Sequence, residues 1–326
     1  MLTAEQVVFP GVVEKQTLKP DNDEFGHRFE AVALDSNDTV WTLETSVHPA
    51  PALVAGRTAF CPFDGNVVAV DIRDGSIFWR YAAGSGLDTG SPAMVDETLY
   101  VPDRRSITTL NAVTGRKRWK ADRVFDGNVL GVAVAEDLLL ASGGTSEDPL
   151  LAFDRRTGEV AWSVPAAGKS IPVIDGDAVF VMDSRQLAAR AVTDGSQLWT
   201  RGDVDDSHRP AVADGTIYTP SEYANGRREL LAIDTATGET QWRSRIGPKV
   251  LTGPPVVGAE SVFVQTGRDG QVLIIAYDRT TGNRRWEQTA RLGVTDALVL
   301  GDNALYFLGQ PDNAAEVNTG AVYVIE

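Results

Sequence analysis

Nine polar residues that could form a binding or catalytic site precede the apolar segments of this sequence. The segments begin like β-strands, for example at Pro51, Pro172 and Pro210. The nine include two of the three histidines of the chain, and His and Asp side chains can act as acids, bases or metal ligands. They are His48, Thr89, Ser91, Asn128, Ser170, His208, Arg209, Thr252 and Asp296.

Two interpretations of these nine residues remain open at the level of the sequence. They could line a small polar pocket that binds a ligand or a peptide, with His48, His208 and Asp296 as its reactive groups. They could equally be ordinary polar loop residues at the points where strands begin. The sequence therefore predicts a candidate ligand site and identifies no catalytic residue.

A second cluster has side chains that suit a metal ion. Asp203, Asp205 and Asp206 stand close to His208, at spacings that a Ca²⁺ loop could use. The cluster lacks the glycine and the twelfth-position glutamate of an EF-hand. The sequence therefore favours a solvated turn here, and no metal site is predicted.

Familiar catalytic motifs are missing from the sequence. It contains no Gly-x-Ser-x-Gly, no His-Glu-x-x-His and no P-loop. The single cysteine, Cys61, lies in an apolar run, so no disulfide can form within the chain, and a buried, unreactive thiol is predicted.

All of these candidates are positioned by a repeated unit. Its best copy has Asp234, Gly238 and Trp242 after an alternating apolar run, which predicts a strand, a tight turn and a returning strand. Similar copies carry Asp71, Asp154 and Asp278 at the first position. The seven tryptophans are 37 to 44 residues apart and each occupies the last position of one copy: Trp41, Trp79, Trp119, Trp162, Trp199, Trp242 and Trp286.

A period of about 40 residues with four short strands is typical of a β-propeller blade. We therefore expect an all-β, single-domain chain over residues 1–326, with the candidate ligand residues around the mouth of the central channel. Eight four-stranded antiparallel blades are favoured, because an eighth unit begins near Val294 but lacks its outer strand; seven blades are the alternative.

The missing strand is predicted to come from the other end of the chain. Residues 1–28 match the repeat poorly and are expected to be irregular, apart from a closing strand around Glu5–Phe9. Strands from both termini would then close the ring and protect its edges.

The repeat resembles the tryptophan-docking repeat of the PQQ-like (quinoprotein-type) β-propellers. The resemblance runs from about Phe29 to the end of the chain. Within that group, the length is closest to the scaffold lipoproteins of the outer-membrane barrel assembly machinery. The resemblance implies a rigid platform that binds a protein or peptide partner through its loop face and channel mouth, but a fold alone does not define a function.

Two other functions remain as alternatives. The first is an enzyme that acts on a small molecule at the channel mouth without a redox cofactor. The second, a PQQ-dependent dehydrogenase, fits less well, because the dehydrogenases that share this repeat are nearly twice as long and carry an adjacent cysteine pair, whereas Cys61 is single. No set of residues matching their Ca²⁺ ligands is found, so neither PQQ nor Ca²⁺ is predicted.

Composition limits the partners. The net charge of −15 argues against nucleic acids and anionic membrane surfaces. No apolar stretch approaches the roughly 20 residues of a membrane span, and a monomer is expected. The N-terminus has no signal-peptide features, so the sequence as written predicts a soluble cytoplasmic protein, or an extracytoplasmic one if a leader has been removed.

Overall fold

The chain folds entirely into β-strands and turns in the parts that the structure describes. The computed structural model describes residues 6–14, 25–33, 38–45, 52–63, 65–83, 92–145, 147–165, 170–183, 186–205, 209–222, 228–246, 250–251, 253–268, 271–290, 298–300, 305–309 and 321–325. No helix occurs among these residues, which confirms the all-β prediction. The chain forms two compact units, Met1–Ala161 and Trp162–Glu326.

The first unit contains one three-stranded sheet (β1 to β3) and two four-stranded sheets (β4 to β7 and β8 to β11). It also contains most of a third four-stranded sheet (β12 to β15). Each sheet is ordered by the sequence, and neighbouring strands are antiparallel. The strands are β1 (Gln6–Glu14), β2 (Phe25–Ala33), β3 (Thr39–Thr45), β4 (Leu53–Ala55), β5 (Thr58–Phe63), β6 (Asn66–Asp71), β7 (Ile77–Ala82), β8 (Ala93–Val95), β9 (Thr98–Asp103), β10 (Ser106–Asn111), β11 (Lys117–Ala121), β12 (Val129–Ala135), β13 (Leu138–Gly143), β14 (Leu150–Asp154) and β15 (Val160–Val164).

The second unit repeats this organisation. Its sheets are β16 to β19, β20 to β23, β24 to β28 and the three-stranded β29-β30-β31, with β24 and β25 both pairing with β26. The strands are β16 (Val173–Asp175), β17 (Ala178–Asp183), β18 (Gln186–Ala191), β19 (Gln197–Arg201), β20 (Ala211–Ala213), β21 (Thr216–Glu222), β22 (Arg228–Asp234), β23 (Thr240–Arg245), β24 (Val250–Leu251), β25 (Val256–Val257), β26 (Ser261–Arg268), β27 (Gln271–Asp278), β28 (Arg284–Ala290), β29 (Val299–Leu300), β30 (Leu305–Gly309) and β31 (Ala321–Ile325).

The cores lie between successive sheets, because the middle strands are buried on both faces. In β9, Leu99 and Val101 pack against Phe60 of the preceding sheet. The intervening Tyr100 packs against Phe153 and other residues of the following sheet. Alternate side chains of one strand thus enter two different core layers, as the two-residue period of a strand requires.

A repeated contact between tryptophan and glycine joins each sheet to the next within a unit. The indole of Trp79 donates its N–H to the carbonyl of Ala112, 2.9 Å away, and its ring covers Gly115, where φ is +69°. The same hydrogen bond runs from five other indoles: Trp41 to Ile72, Trp119 to Arg155, Trp162 to Val192, Trp199 to Thr235 and Trp242 to Arg279. The docking repeat inferred from the sequence is therefore confirmed.

The N-terminal segment differs from its prediction. Residues 6–14 form the continuous strand β1, which pairs with β2 along all nine residues. Residues 6–9 thus pair within the first sheet, whereas Glu5 lies outside the described residues. The sequence expected residues 1–28 to be largely irregular, and the structure instead forms a regular ladder, because hydrogen bonds along one edge of β1 are made by β2. A closing strand from this segment stays a prediction.

The tryptophan–glycine contact makes a testable contribution to stability. Replacing Gly115 by alanine is expected to lower the free energy of unfolding by about 2–5 kcal/mol, because a positive φ and an overpacked contact both cost energy. The added Cβ would lie 2.6 Å from the Trp79 ring. Urea unfolding monitored by tryptophan fluorescence measures the loss.

Gly56 provides the matched control. Its φ is +57°, yet a Cβ there would meet nothing within 4 Å. Gly56→Ala should therefore cost only the backbone strain, about 1–2 kcal/mol. Equal losses at the two positions would contradict a stabilising role for the indole contact.

Candidate functional site

Three of the nine candidate ligand residues lie in the part of the chain that the structure describes: Asn128, Ser170 and Arg209. The other six lie outside it, as does the metal candidate Asp206: His48, Thr89, Ser91, His208, Thr252 and Asp296. The channel-mouth pocket therefore stays a prediction.

The strands that follow the candidate residues are neighbours within each unit. In the second unit, β16 contacts β20 and β20 contacts β25, while β8 contacts β12 in the first. Ser170 and Arg209 thus precede adjacent strands, and Asn128 precedes β12 of the first unit. The three described residues therefore precede the first strands of their sheets, and a ligand-binding role for them stays a prediction.

Ser170 has a structural contact. Its side chain is buried, with the residue 6% exposed, and its hydroxyl accepts a hydrogen bond of 2.8 Å from the backbone N–H of Met182. A buried hydroxyl that satisfies a backbone donor stabilises the local fold. This contact ties the entry of β16 to β17.

Asn128 and Arg209 are exposed, and Asn128 belongs to a surface formed by two loops of the same sheet. We call this surface the β12 loop face: residues 122–128, which lead into β12, together with residues 144–145 and 147–149 between β13 and β14. Both segments lie at the end of the sheet where β12 begins. The β12 loop face is the best-defined candidate interaction site in the described chain.

The carboxylate of Asp148 holds the two segments of the β12 loop face together. Asp148 is 2% exposed. It accepts hydrogen bonds from the backbone N–H groups of Asp126 at 2.8 Å, Thr145 at 2.9 Å and Gly127 at 3.1 Å. The same donors would otherwise be left without acceptors in a loop, so one side chain organises both segments.

These contacts set the protonation of Asp148. Burial alone acts to raise the pKa of the carboxyl group, because it disfavours the charged form. The hydrogen bonds from Thr145, Asp126 and Gly127 favour the carboxylate and hold its pKa below the ordinary value. The group is therefore charged at neutral pH, where the loops need it.

Arg105 adds a second anchor from the preceding sheet. Its Nε donates to the carbonyl of Phe125 at 2.9 Å, and its guanidinium pairs with Asp126 at 3.0 Å. The β12 loop face is thus fixed by backbone-directed contacts, while Asp126 and Asn128 stay exposed. Such an arrangement suits recognition of a partner by a preformed surface. Sequence reasoning did not single out Asp148, because its loop reads as a polar turn.

The metal candidates have other partners. Asp203 forms a two-point ion pair with Arg201, with distances of 2.7 and 2.6 Å, and Asp205 also has a partner. In the described chain, no group of three or more His, Cys, Asp or Glu side chains could hold a metal ion. The described part of the chain contains no helix that is long and apolar enough to cross a membrane.

The single cysteine does not fit a quinone site. Cys61 is 0% exposed and packs in a core layer with Phe29 and Val68, and burial raises the pKa of its thiol. The residues present therefore do not reproduce the adjacent cysteine pair that the PQQ dehydrogenases carry.

Comparison with protein families gives a match over most of the chain. The family model described as outer membrane protein assembly factor BamB matches residues 63–202 and 192–323. The assembly factor BamB of Yersinia pestis is 25% identical in an alignment of length 265 that covers 72% of this chain and 65% of that protein. The chain thus spans about two thirds of the length of this relative.

Solved structures with the same fold include an assembly factor and an enzyme. BamB from Moraxella catarrhalis matches with a TM-score of 0.63 and 20% identity, over 79% of this chain and 81% of that one. The quinohemoprotein alcohol dehydrogenase from Comamonas testosteroni matches with a TM-score of 0.68 and 14% identity, over 86% and 67%. These likenesses identify a PQQ-like β-propeller fold and do not by themselves assign a function.

Asp148→Asn tests the anchor of the β12 loop face. The amide has lost the charge that the three N–H donors stabilise, so the free energy of unfolding at neutral pH should fall by about 1–3 kcal/mol. Because the folded pKa of Asp148 is lowered, its stabilisation is complete above the unfolded pKa of about 3.9 and is lost as the pH falls through the folded value. Urea unfolding at neutral and acidic pH should show the difference from wild type shrinking in acid.

Asp126→Asn is the control in the same loop. The Asp126 side chain is 93% exposed and pairs only at the surface with Arg105, so its loss should change stability by at most about 0.5 kcal/mol. A difference between wild type and Asp148→Asn that stays constant down to acidic pH would contradict the anchoring role.

Proposed function

The chain belongs to the family of the outer membrane protein assembly factor BamB, and we propose that it is a non-catalytic β-propeller that binds protein partners through its loop face. The observation that carries this proposal is the β12 loop face, whose backbone is fixed by Asp148 and Arg105 while its other side chains remain exposed. A preformed surface binds a partner without the loss of conformational entropy that ordering a loop would require.

The absence of a reactive cluster in the described chain supports a binding role over catalysis. Asp203 and Ser170, two residues that the sequence offered for chemistry, are engaged in local contacts. The strongly shifted carboxylates serve the fold: Asp71 is held by Arg57, and Asp278 by backbone N–H groups and Arg285. The lowered pKa values of these two carboxyl groups are thus explained by contacts that hold the turns of the repeat.

The cellular setting that we propose is the assembly of outer membrane proteins, which is the role in the name of the relatives. The protein would then act outside the cytoplasm, as a monomeric platform. Cell fractionation checks the compartment, and light scattering checks the oligomeric state.

We also propose an eight-bladed propeller. Eight sheets are present in the described residues, and the two three-stranded ones come from the N-terminal and C-terminal parts of the chain. Seven blades are the alternative, in which the terminal sheets do not both count as blades. An experimental structure with seven blades would overturn this proposal.

Partner capture tests the binding function. The immobilised chain should retain outer membrane assembly proteins from a solubilised envelope fraction of its host, identified by mass spectrometry. The double variant Asp126→Arg, Glu147→Arg changes two exposed residues of the β12 loop face and should reduce capture by about tenfold or more, as loss of central contacts does in other interfaces.

The control variant makes the same change of charge at the other end of the sheet. Asp137 and Glu159 are exposed in the turns where β12 and β14 end, so Asp137→Arg, Glu159→Arg should leave capture unchanged. Equal capture by all three proteins would contradict recognition through the β12 loop face, and capture of no assembly protein by the wild type would contradict the proposed function itself.

The protein is further proposed to work without PQQ or Ca²⁺. Addition of both should leave its melting temperature unchanged and produce no protein-bound visible absorbance. A rise in melting temperature that increases with PQQ concentration would reveal specific binding and would overturn this part of the proposal.

A further inference from the structure

An exposed basic surface interrupts the acidic character of the chain. Arg116, Lys117 and Arg118 are consecutive and exposed in the turn and strand before Trp119, although the net charge of the protein is −15. Together with Asn111 and Thr114 they line an open recess of about 410 Å³. We call these five residues the β11 basic recess.

The charged groups of Arg116, Lys117 and Arg118 form no ion pair and donate no hydrogen bond in the described part of the chain. Asp122 acts on Lys117 only as a nearby charge, without an ion pair between them. The neighbouring Lys120 instead pairs with Asp122 at 2.9 Å. Cations this close along the chain repel one another, and a bound anion would relieve that repulsion.

In the copy of the repeat that ends at Trp286, the cations at the same positions form ion pairs within the chain. Arg284 and Arg285 correspond to Lys117 and Arg118, counted from the following tryptophan. Arg285 pairs with Asp278 at 2.9 Å and with Glu260 at 3.0 Å, and Arg284 pairs with Glu287.

Two of these acidic partners are replaced in the copy that forms the recess. Asn111 stands where the other copy has Asp278, and Lys120 stands where it has Glu287. The Asn111 side-chain oxygen accepts from the N–H and hydroxyl of Thr114, both at 2.8 Å, so the turn keeps its shape without the charge. The repeat therefore supports its fold here while its cations are left for another molecule.

The backbone of β11 gives the recess a second means of recognition. β11 is the last strand in its sheet, and none of the described strands pairs with its outer edge. An extended peptide can add to such an edge through main-chain hydrogen bonds, with side chains providing specificity.

We propose that the β11 basic recess and the outer edge of β11 bind an extended acidic segment of a partner protein. This inference rests on the proposed function as a protein-binding platform and assigns a surface and a partner chemistry to it. The excess negative charge elsewhere on the chain repels an extended anionic surface such as a membrane. An acidic peptide segment can instead contact the cations of the recess alone.

A defined probe tests this proposal on the whole chain. Fluorescence anisotropy measures binding of a short labelled peptide of alternating Glu and Thr, with a peptide of alternating Lys and Thr as the control probe. The wild type should bind the acidic peptide alone, and more weakly as the ionic strength rises, because exposed charges are screened. Lys117→Gln, Arg118→Gln should weaken the affinity by about threefold to tenfold, as expected for two exposed ion pairs.

Arg284→Gln, Arg285→Gln is the matched control, since it removes the same number of charges from the same positions of another copy. It should leave the peptide affinity unchanged, because those cations already have intramolecular partners. Equal weakening by both variants would overturn the assignment to the recess. Binding of phosphatidylglycerol vesicles, or displacement of the peptide by inorganic phosphate at equal charge, would overturn the peptide in favour of a membrane or a simple anion.

The outcome can be separated from that of the proposed function. If envelope capture succeeds but no acidic peptide binds, the inference about the recess is wrong and the platform function stands. If the peptide binds and capture retains no assembly protein, the recess stands and the proposed cellular role is wrong.

Discussion

The contact between an indole ring and a glycine of the next sheet is the constraint on which the rest of the structure depends. The ring occupies the space that a side chain would fill, as at Gly158, where a Cβ would lie 2.6 Å from Trp119. The indole N–H then satisfies a carbonyl of the same turn, 2.8 Å away. Because the middle strands are apolar on both faces, a sheet without this contact would expose one core layer to water. The contact therefore sets both the spacing and the order of the sheets within each unit.

The strength of this constraint explains how much of the fold could be predicted from the sequence. Trp and Asp make contacts that are set within one copy of the repeat. Trp242 lies opposite the small residue Ala232, beside a register shift. Asp234 accepts hydrogen bonds from two N–H groups of its own turn. These signals recur with a fixed period and predict the sheets. The pairing of β1 with β2 is different, because these segments lie outside the repeat and their pairing depends on register over nine residues. Sequence reasoning placed that strand by the need to close a ring, and the backbone had a nearer partner.

The candidate site was harder to predict for a related reason. A serine before a strand looks the same whether it binds a ligand or, like Ser170, accepts a hydrogen bond from Met182. Asp148, followed by a proline in a polar loop, looks like a solvated carboxylate. Its burial depends on N–H groups of residues 126–127, about twenty positions earlier. Information of this kind arises only when two loops meet, so spacing along the chain could identify where the loops begin but not which side chain organises them.

Six copies of the repeat make the same docking contact in the described chain, which distinguishes the residues that maintain the fold from those that can differ. The turns keep their shape when Asn111 replaces an aspartate, since the asparagine oxygen accepts from the same relative positions. The charge at such a position can therefore change without loss of the sheet. The β12 loop face is held through its backbone N–H groups, so its exposed side chains can also differ without loss of the loop. The same architecture occurs in an assembly factor and in an alcohol dehydrogenase, so the residues that maintain the fold do not define a function. The residues in which one copy of the repeat differs from the others are therefore the better candidates for function.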